Sequence, residues 1–325
     1  MVTPDLPAIQ TQDLSKLYDN GRGCRNITLS IGQGEAFGFL GPNGAGKSTF
    51  VKTLVGLVRA SGGAGTLLGS PIGSLEARRH IGYLPELYRY PEWLSGEEVM
   101  KMHAGLLGLR GEEARKRIRA GLDEVGIGKR GSDRVKQYSK GMQQRLGLAC
   151  ALLGDPQILF LDEPSSAMDP VGRREVRELL LELKKRGKTL FLNSHLMEDV
   201  ETVCDRMALM LNGDMIRGGT VADMLKVKIR WRFKVGGFSP VLLDWLREES
   251  RLNVGMAQPQ DAAPTSWEAP VWLEAELDGE EQAGLLNLLI VEQGMTLYES
   301  AMHREKLEDW FLEAVAGRDQ RGEQR

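Results

Sequence analysis

Apolar residues follow two rhythms along the first 225 residues. Short unbroken apolar runs stand at 35–40 (EAFGFL), 158–162 (ILFLD) and 190–193 (LFLN), a length and pattern that suit buried strands. Elsewhere apolar positions recur every three to four residues, as at 47–58 and 173–186, which predicts helices. Alternation of the two predicts an α/β fold with a largely parallel sheet covered on both faces. Residues 85–155, rich in Leu, Glu, Lys and Arg at helical spacing and clearest at 111–125, predict an inserted helical subdomain. Asn212–Gly213–Asp214, between the apolar runs 207–211 and 215–217, predicts a hairpin.

From Lys226 the period changes to two. In 226–234 (KVKIRWRFK), Lys226, Lys228, Arg230, Arg232 and Lys234 face one way and Val227, Ile229, Trp231 and Phe233 the other, a strand with one buried face. Helix (239–248), strand (251–256), strand (270–277), helix (279–293), strand (295–300) and a final helix (304–315) follow. The order βαββαβ predicts a small α+β, ferredoxin-like domain. The chain therefore reads as two domains, 1–225 and 226–325. The loop 257–270, with Pro259, Pro264 and Pro270, is expected to be disordered, and the polar tail after Gly317 to fray.

Composition fits this division. The 325 residues are 42% hydrophobic and 27% charged, ordinary values for globular domains and unlike those of disordered or collagen-like chains. No apolar run approaches the ~20 residues of a membrane span. The N-terminus lacks the basic and apolar regions of a secretory signal. Cys24, Cys150 and Cys204 lie far apart without CxxC spacing, so neither a disulfide framework nor a zinc site is expected, and a reducing cytosol fits. The net charge of −3 divides into 30 basic and 27 acidic residues up to position 225, then 12 and 18. Neither segment has the basic excess of a nucleic-acid binder.

Two motifs carry chemistry. Gly41–Pro42–Asn43–Gly44–Ala45–Gly46–Lys47–Ser48–Thr49 fits GxxxxGK[ST] between a predicted strand and a predicted helix, the context in which that pattern binds a nucleoside triphosphate. Glycines let backbone N–H groups turn toward phosphate oxygens, and a helix start adds positive potential. Lys47 supplies a mobile charge for the β- and γ-phosphates, and the Ser48 hydroxyl a ligand for Mg²⁺. The second motif is the apolar strand ending in Asp162 and Glu163. Strand ends gather ligands in α/β sheets, so Asp162 is expected at Mg²⁺ and Glu163 beyond it as the base for the attacking water.

Further motifs stand in order. Tyr138–Ser139–Lys140–Gly141–Met142–Gln143–Gln144–Arg145 resembles the LSGGQ signature of ATP-binding cassette (ABC) ATPases. Ser166–Ala167–Met168–Asp169 is similar to their D-loop, and Asn193–Ser194–His195 to the segment carrying their switch histidine. Ile81–Gly82–Tyr83–Leu84–Pro85–Glu86 stands at the Q-loop position, and Tyr18 where the family places an adenine-stacking aromatic. The resemblance spans residues 11–220, about two thirds of the chain, and implies the P-loop NTPase fold of an ABC nucleotide-binding domain. It implies two copies closing head-to-tail on two ATP molecules. The signature of one copy, Ser139, Lys140, Gly141 and Met142, would cover the nucleotide held by the other, and Asp169 of the D-loop is likewise implied as a nucleotide-binding residue. His195 would hydrogen-bond the γ-phosphate and hold Glu163 and the water in place.

There are two departures. Glu86 stands in place of glutamine; it can still ligand Mg²⁺ but adds negative charge beside the triphosphate. Lys140 and Met142 replace a glycine and a glutamine; Lys140 either adds a cation near the phosphates or points to solvent. Both spellings resemble the branch serving ABC-2-type exporters, as does 306–312 (KLEDWFL) near the C-terminus. The resemblance thus implies the ATPase subunit of an exporter, peripheral on the cytoplasmic face of the membrane, a homodimer working on two multi-span permease chains. Tyr88, Tyr90 and Trp93 are either a docking anchor for a permease helix or packing for the helical subdomain. The basic strand face at 226–234 is either a solvated face or an attractor of anionic lipid. The alternative function is a soluble ABC-type ATPase that remodels a ribosome or DNA. A non-enzymatic nucleotide sensor would need a broken site, yet Lys47, Asp162, Glu163 and His195 are all present.

Overall fold

A computed structural model describes residues 6–87, 89–224, 230–257 and 270–303. The chain forms two compact units, Met1–Ala222 and Asp223–Arg325.

The first unit contains a six-stranded sheet of β3 (Ala36–Leu40), β6 (Ile81–Leu84), β7 (Ile158–Asp162), β8 (Thr189–Asn193), β9 (Arg206–Leu211) and β10 (Asp214–Thr220), side by side as β10-β9-β3-β8-β7-β6. All neighbours are parallel except the β9–β10 hairpin. Asn212 and Gly213 close that hairpin at φ 50° and 91°, the positive values a two-residue turn of this kind needs. β3, β7 and β8 are buried along all five residues, which is why they are unbroken apolar runs.

A second, antiparallel sheet of β1 (Ile9–Leu17), β2 (Gly23–Ile31), β4 (Gly62–Leu67) and β5 (Ser70–Pro71), ordered β2-β1-β4-β5, lay outside the sequence reading. β4 reads GGAGTL, a glycine-rich string with little strand propensity. The β1 register slips twice, which breaks its alternation. Helix α1 (Lys47–Leu54) contributes to the core shared by the two sheets. Its Phe50 ring centroid lies 5.3 Å from that of Phe39 and 6.2 Å from that of Phe191, among Phe37, Phe160 and the inward side chains of β1 and β2. The helix is shorter than 47–58, because Gly56 takes φ 75°. A short α2 (Leu75–Arg79) precedes β6.

The helical subdomain is α3 (Gly96–Leu106), started by a Ser95–Glu98 capping box, α4 (Gly111–Glu124) and α5 (Lys140–Leu152). Helix α6 (Pro170–Lys185) starts three residues earlier than its apolar period, because Asp169 caps it and Pro170 occupies its first position. Helix α7 (Met197–Val203) follows β8, and α8 (Val221–Met224) lies where the units divide.

The second unit has strands β11 (Arg230–Gly236), β12 (Val254–Met256), β13 (Val271–Glu276) and β14 (Thr296–His303) with helices α9 (Pro240–Ser250) and α10 (Glu280–Glu292). The antiparallel order β12-β13-β11-β14 is that of a ferredoxin-like sheet. Its own core joins Phe233, Val235 and Leu273 to Leu246, Leu286 and Ile290. Among the described residues the basic face of β11 is partly paired: Arg230 and Arg232 share Glu274 at 2.8 and 3.2 Å, Arg230 approaches Glu276 at 4.0 Å, and Lys234 lies 5.8 Å from the Trp272 ring. Residues 226–229, most of the proline loop, the expected last helix with its KLEDWFL segment, and the tail lie outside the described residues.

Candidate active site

The loop 41–49 runs from the end of β3 into α1. Gly41 and Gly46 hold φ 153° and 105°. A Cβ on Gly41 would stand 2.3 Å from the Met210 carbonyl oxygen, and one on Gly46 2.1 Å from that of Gly23, so glycine is required twice over. Pro42, Asn43 and Gly44 are exposed, leaving the mouth of the loop open. Helix α1 starts on Gly46 with no side-chain cap and no acidic residue in its first turn, so none of its own side chains occupies its leading N–H groups. Lys47 is 6% exposed; its Nζ donates to the carbonyls of Gly41 at 2.6 Å and Pro42 at 3.1 Å. Burial pushes its ammonium below the usual lysine range, and the charges of Glu163, Asp162 and Glu86 partly restore it.

Beside the loop lie the ends of β8 and β7, next in the sheet. Asp162 ends β7 buried. Burial pushes its carboxyl up to about 6, the Ser48 and Asn193 hydrogen bonds pull it down, and Glu86 and Glu163 add repulsion. Asn193, which ends β8, donates Nδ2 to Asp162 Oδ1, while its own Oδ1 is buried and unpartnered. Glu163 sits at φ 56°, a left-handed conformation unusual for glutamate. Its N–H donates to the Asn193 carbonyl at 2.8 Å, which fixes the turn. Its Oε1 accepts from the His195 N–H at 3.0 Å, and Oε2 lies 2.7 Å from His195 Nδ1. The Nδ1–Oε2 contact has the distance of an ion pair without the geometry of a hydrogen bond, so Oε2 is buried with no hydrogen-bond partner of its own.

The structure thus brings Gly41–Thr49, Asp162, Glu163 and His195 together, with Glu86, exposed just after β6, close enough to act on Lys47 and Asp162 electrostatically. Tyr18 is exposed on the turn after β1, and the hairpin carrying it meets the loop where Gly23 touches Gly46. Ser139 is exposed and caps α5 by accepting from the Met142 N–H at 3.2 Å, beside an exposed Lys140. The start of α5 lies against Ala167 and Met168 rather than on its own phosphate loop. Asp169 accepts from the Gly172 N–H at 2.8 Å as the α6 cap. Of the aromatic cluster, Tyr90 packs inward on His103 (ring centroids 6.1 Å apart), Trp93 is 73% exposed, and Tyr88 lies outside the described residues.

The donor set suits a hard cation. Ser48 hydroxyl, Asp162 carboxylate and the orphaned Asn193 oxygen are oxygen ligands of the kind Mg²⁺ takes. Among the described residues no three His, Cys, Asp or Glu side chains gather into a metal cluster, so an ion here would take its remaining ligands from nucleotide phosphates and water.

Three of the buried polar residues that have no role in the sequence reading bear on the site. Asn193 is one. Gln144 is 3% exposed and bonds the turn after Glu163. Asp199 is 1% exposed and binds Ser165 Oγ and Arg177 at 3.1 Å, joining the β7 turn, α6 and α7. Their one sequence signal is a polar residue set among apolar neighbours.

Known proteins resemble the chain in sequence and in fold. A family model described as ABC transporter matches residues 24–166. An ABC transporter ATP-binding protein of Synechocystis is 43% identical over 67% of this chain and 64% of its own length, so the chain spans just under two thirds of that relative. The bacitracin transport ATP-binding protein BcrA of Bacillus licheniformis is 30% identical over 95% of this chain and 97% of its own. An ATP-binding cassette solved as a dimer in a post-hydrolysis state with ADP and Pi is 25% identical, covering 66% of this chain and 98% of that one at a TM-score of 0.61.

Proposed function

The chain belongs to the ABC transporter ATP-binding proteins, and from that premise we propose that it is the ATP-hydrolysing subunit of an exporter, acting as a homodimer on two multi-span permease chains. The observation that carries the reading is the Glu163–His195 pair, 2.7 Å apart at the strand ends beside an uncapped helix start and a buried lysine.

Lys47 would exchange its two carbonyl partners for the β- and γ-phosphates, as the α1 N–H groups receive the phosphate oxygens. Tyr18 would stack on adenine. Glu163 would take the proton of the attacking water, with its carboxylate held by His195 and its backbone by Asn193. The exposed ring of His195 would face the γ-phosphate. Ser48, Asp162 and Glu86 would hold Mg²⁺, which supplies positive charge to the phosphates. The Ser139–Met142 start of a second copy, an exposed helix N-terminus, would close the site from the other side. Asp169 would lie at that interface. Exposed Leu87 and Trp93 suit contact with the permease.

Among the described residues no helix is long and apolar enough to cross a membrane, so the permease would bring this subunit to the inner face of the membrane. The likeness over nearly the whole chain to a bacitracin transport ATP-binding protein supports a transport role, and export rests on the Glu86 and YSKGM spellings. The alternative of a ribosome- or DNA-remodelling ATPase gains no support from these relatives. Glu163→Gln tests the reading: turnover should fall by about 10²–10⁴ while ATP still binds, and parent-rate turnover would remove Glu163 as the base.

A further inference from the structure

Gln144 lies in the second turn of α5, whose start is the Ser139 patch. Its side-chain amide spans the turn that follows β7. Nε2 donates to the carbonyl of Glu163, and Oε1 accepts from the N–H of Ala167 at 3.0 Å. One partner is an acceptor and the other a donor, so a single orientation of the amide satisfies both. Ser166 Oγ adds a 3.2 Å bond to the same Glu163 carbonyl. Glu163 is thereby held from both sides in its left-handed conformation: Asn193 receives its N–H and Gln144 grips its C=O. Such a backbone persists only when its surroundings fix it.

We propose that Gln144 is a positioning residue that ties the signature helix to the pose of Glu163, so that covering the partner's nucleotide with the α5 start of one chain sets the aim of that chain's own base. The inference rests on the reading that Glu163 is the base and that Ser139 acts across the dimer. Its structural content is that one buried amide joins the two places. A shift of α5 on docking pulls on the Glu163 carbonyl through the Nε2 bond and on the Ala167 N–H through the Oε1 bond. Cooperativity between the two sites then has a local carrier.

Gln144→Met in the full chain is the test, since it keeps the length and the apolar stem but loses the amide. ATP turnover is expected to fall about 10- to 100-fold, with the ATP KM within about twofold of the parent and ATP still driving dimer formation. Turnover within twofold of the parent overturns the proposal. So does a fall in turnover matched by an equal loss of ATP affinity, because Gln144 would then only support the fold. Should Gln144→Met not fold, Gln144→Glu decides. It keeps the acceptor for Ala167 but sets an oxygen against the Glu163 carbonyl, so at least as large a fall is expected and parent-like turnover overturns the tie. Glu163→Gln in the same assay separates the two levels. If it turns over at the parent rate, the base assignment fails and this proposal with it. If it is inactive while Gln144→Met is parent-like, the tie alone has failed.

Discussion

At the scale of residues, two buried charges at the site define measurable costs. Lys47 is buried on two backbone carbonyls and has no carboxylate hydrogen-bonded to it among the described residues. Its charge becomes fully used only with a polyanion bound. Lys47→Ala should weaken ATP binding by about 1.5–3 kcal/mol, roughly 10- to 100-fold, as expected for charged hydrogen bonds; titration with a fluorescent ATP analogue reads it. Asp162 behaves in the opposite sense to a salt-bridged carboxylate. Its folded value, about 6, lies above the ordinary 3.8. Between those values the native state binds more protons than the unfolded one, so stability falls as pH rises through the window and the deficit is complete above it. The difference corresponds to about 3 kcal/mol at neutral pH and about half that at pH 5. Without nucleotide or metal, Asp162→Asn should therefore raise the melting temperature, and more at pH 8 than at pH 5. An equal rise at both values would show that the charge is not the cause.

At the scale of elements, the site stands on a few joints. Asp199 on α7 is 1% exposed and depends on Arg177 of α6 and on Ser165. Arg177→Met should destabilise the first unit by about 3–5 kcal/mol, because it strands a buried carboxylate. Arg177→Met with Asp199→Leu should recover much of that loss, and thermal melts of the single and double variants compare them. The parallel strands were legible because burial on both faces writes them as apolar runs. The phosphate loop was legible because two close backbone approaches demand glycine at fixed spacing. The antiparallel sheet was not, since β4 is glycine-rich and β1 carries register slips. The α6 cap at Asp169–Pro170 was present in the letters but outweighed by the later apolar period. Gln144 and Asp199 were hidden for another reason. Their partners are backbone groups and side chains 19 to 34 residues away, and no local period records such pairing.

At the scale of the whole molecule, each unit has its own hydrophobic core, one built on the Phe37–Phe191 cluster and the other on Phe233, Leu273 and Leu286. Unfolding should not be two-state. Calorimetry should resolve two transitions, and ATP at about 100 times its Kd should stabilise the nucleotide-binding one by about 2.7 kcal/mol while leaving the other in place. A single transition that moves as a whole would contradict this. The same scale holds the main claim, that the base of one chain acts only when the α5 start of another covers the nucleotide. The most direct measurement is the ATPase rate per subunit against protein concentration, with the molecular mass followed by light scattering. The rate per subunit is expected to climb with concentration and level off as dimer forms in ATP. A rate per subunit that stays constant and full where only monomer scatters would contradict it.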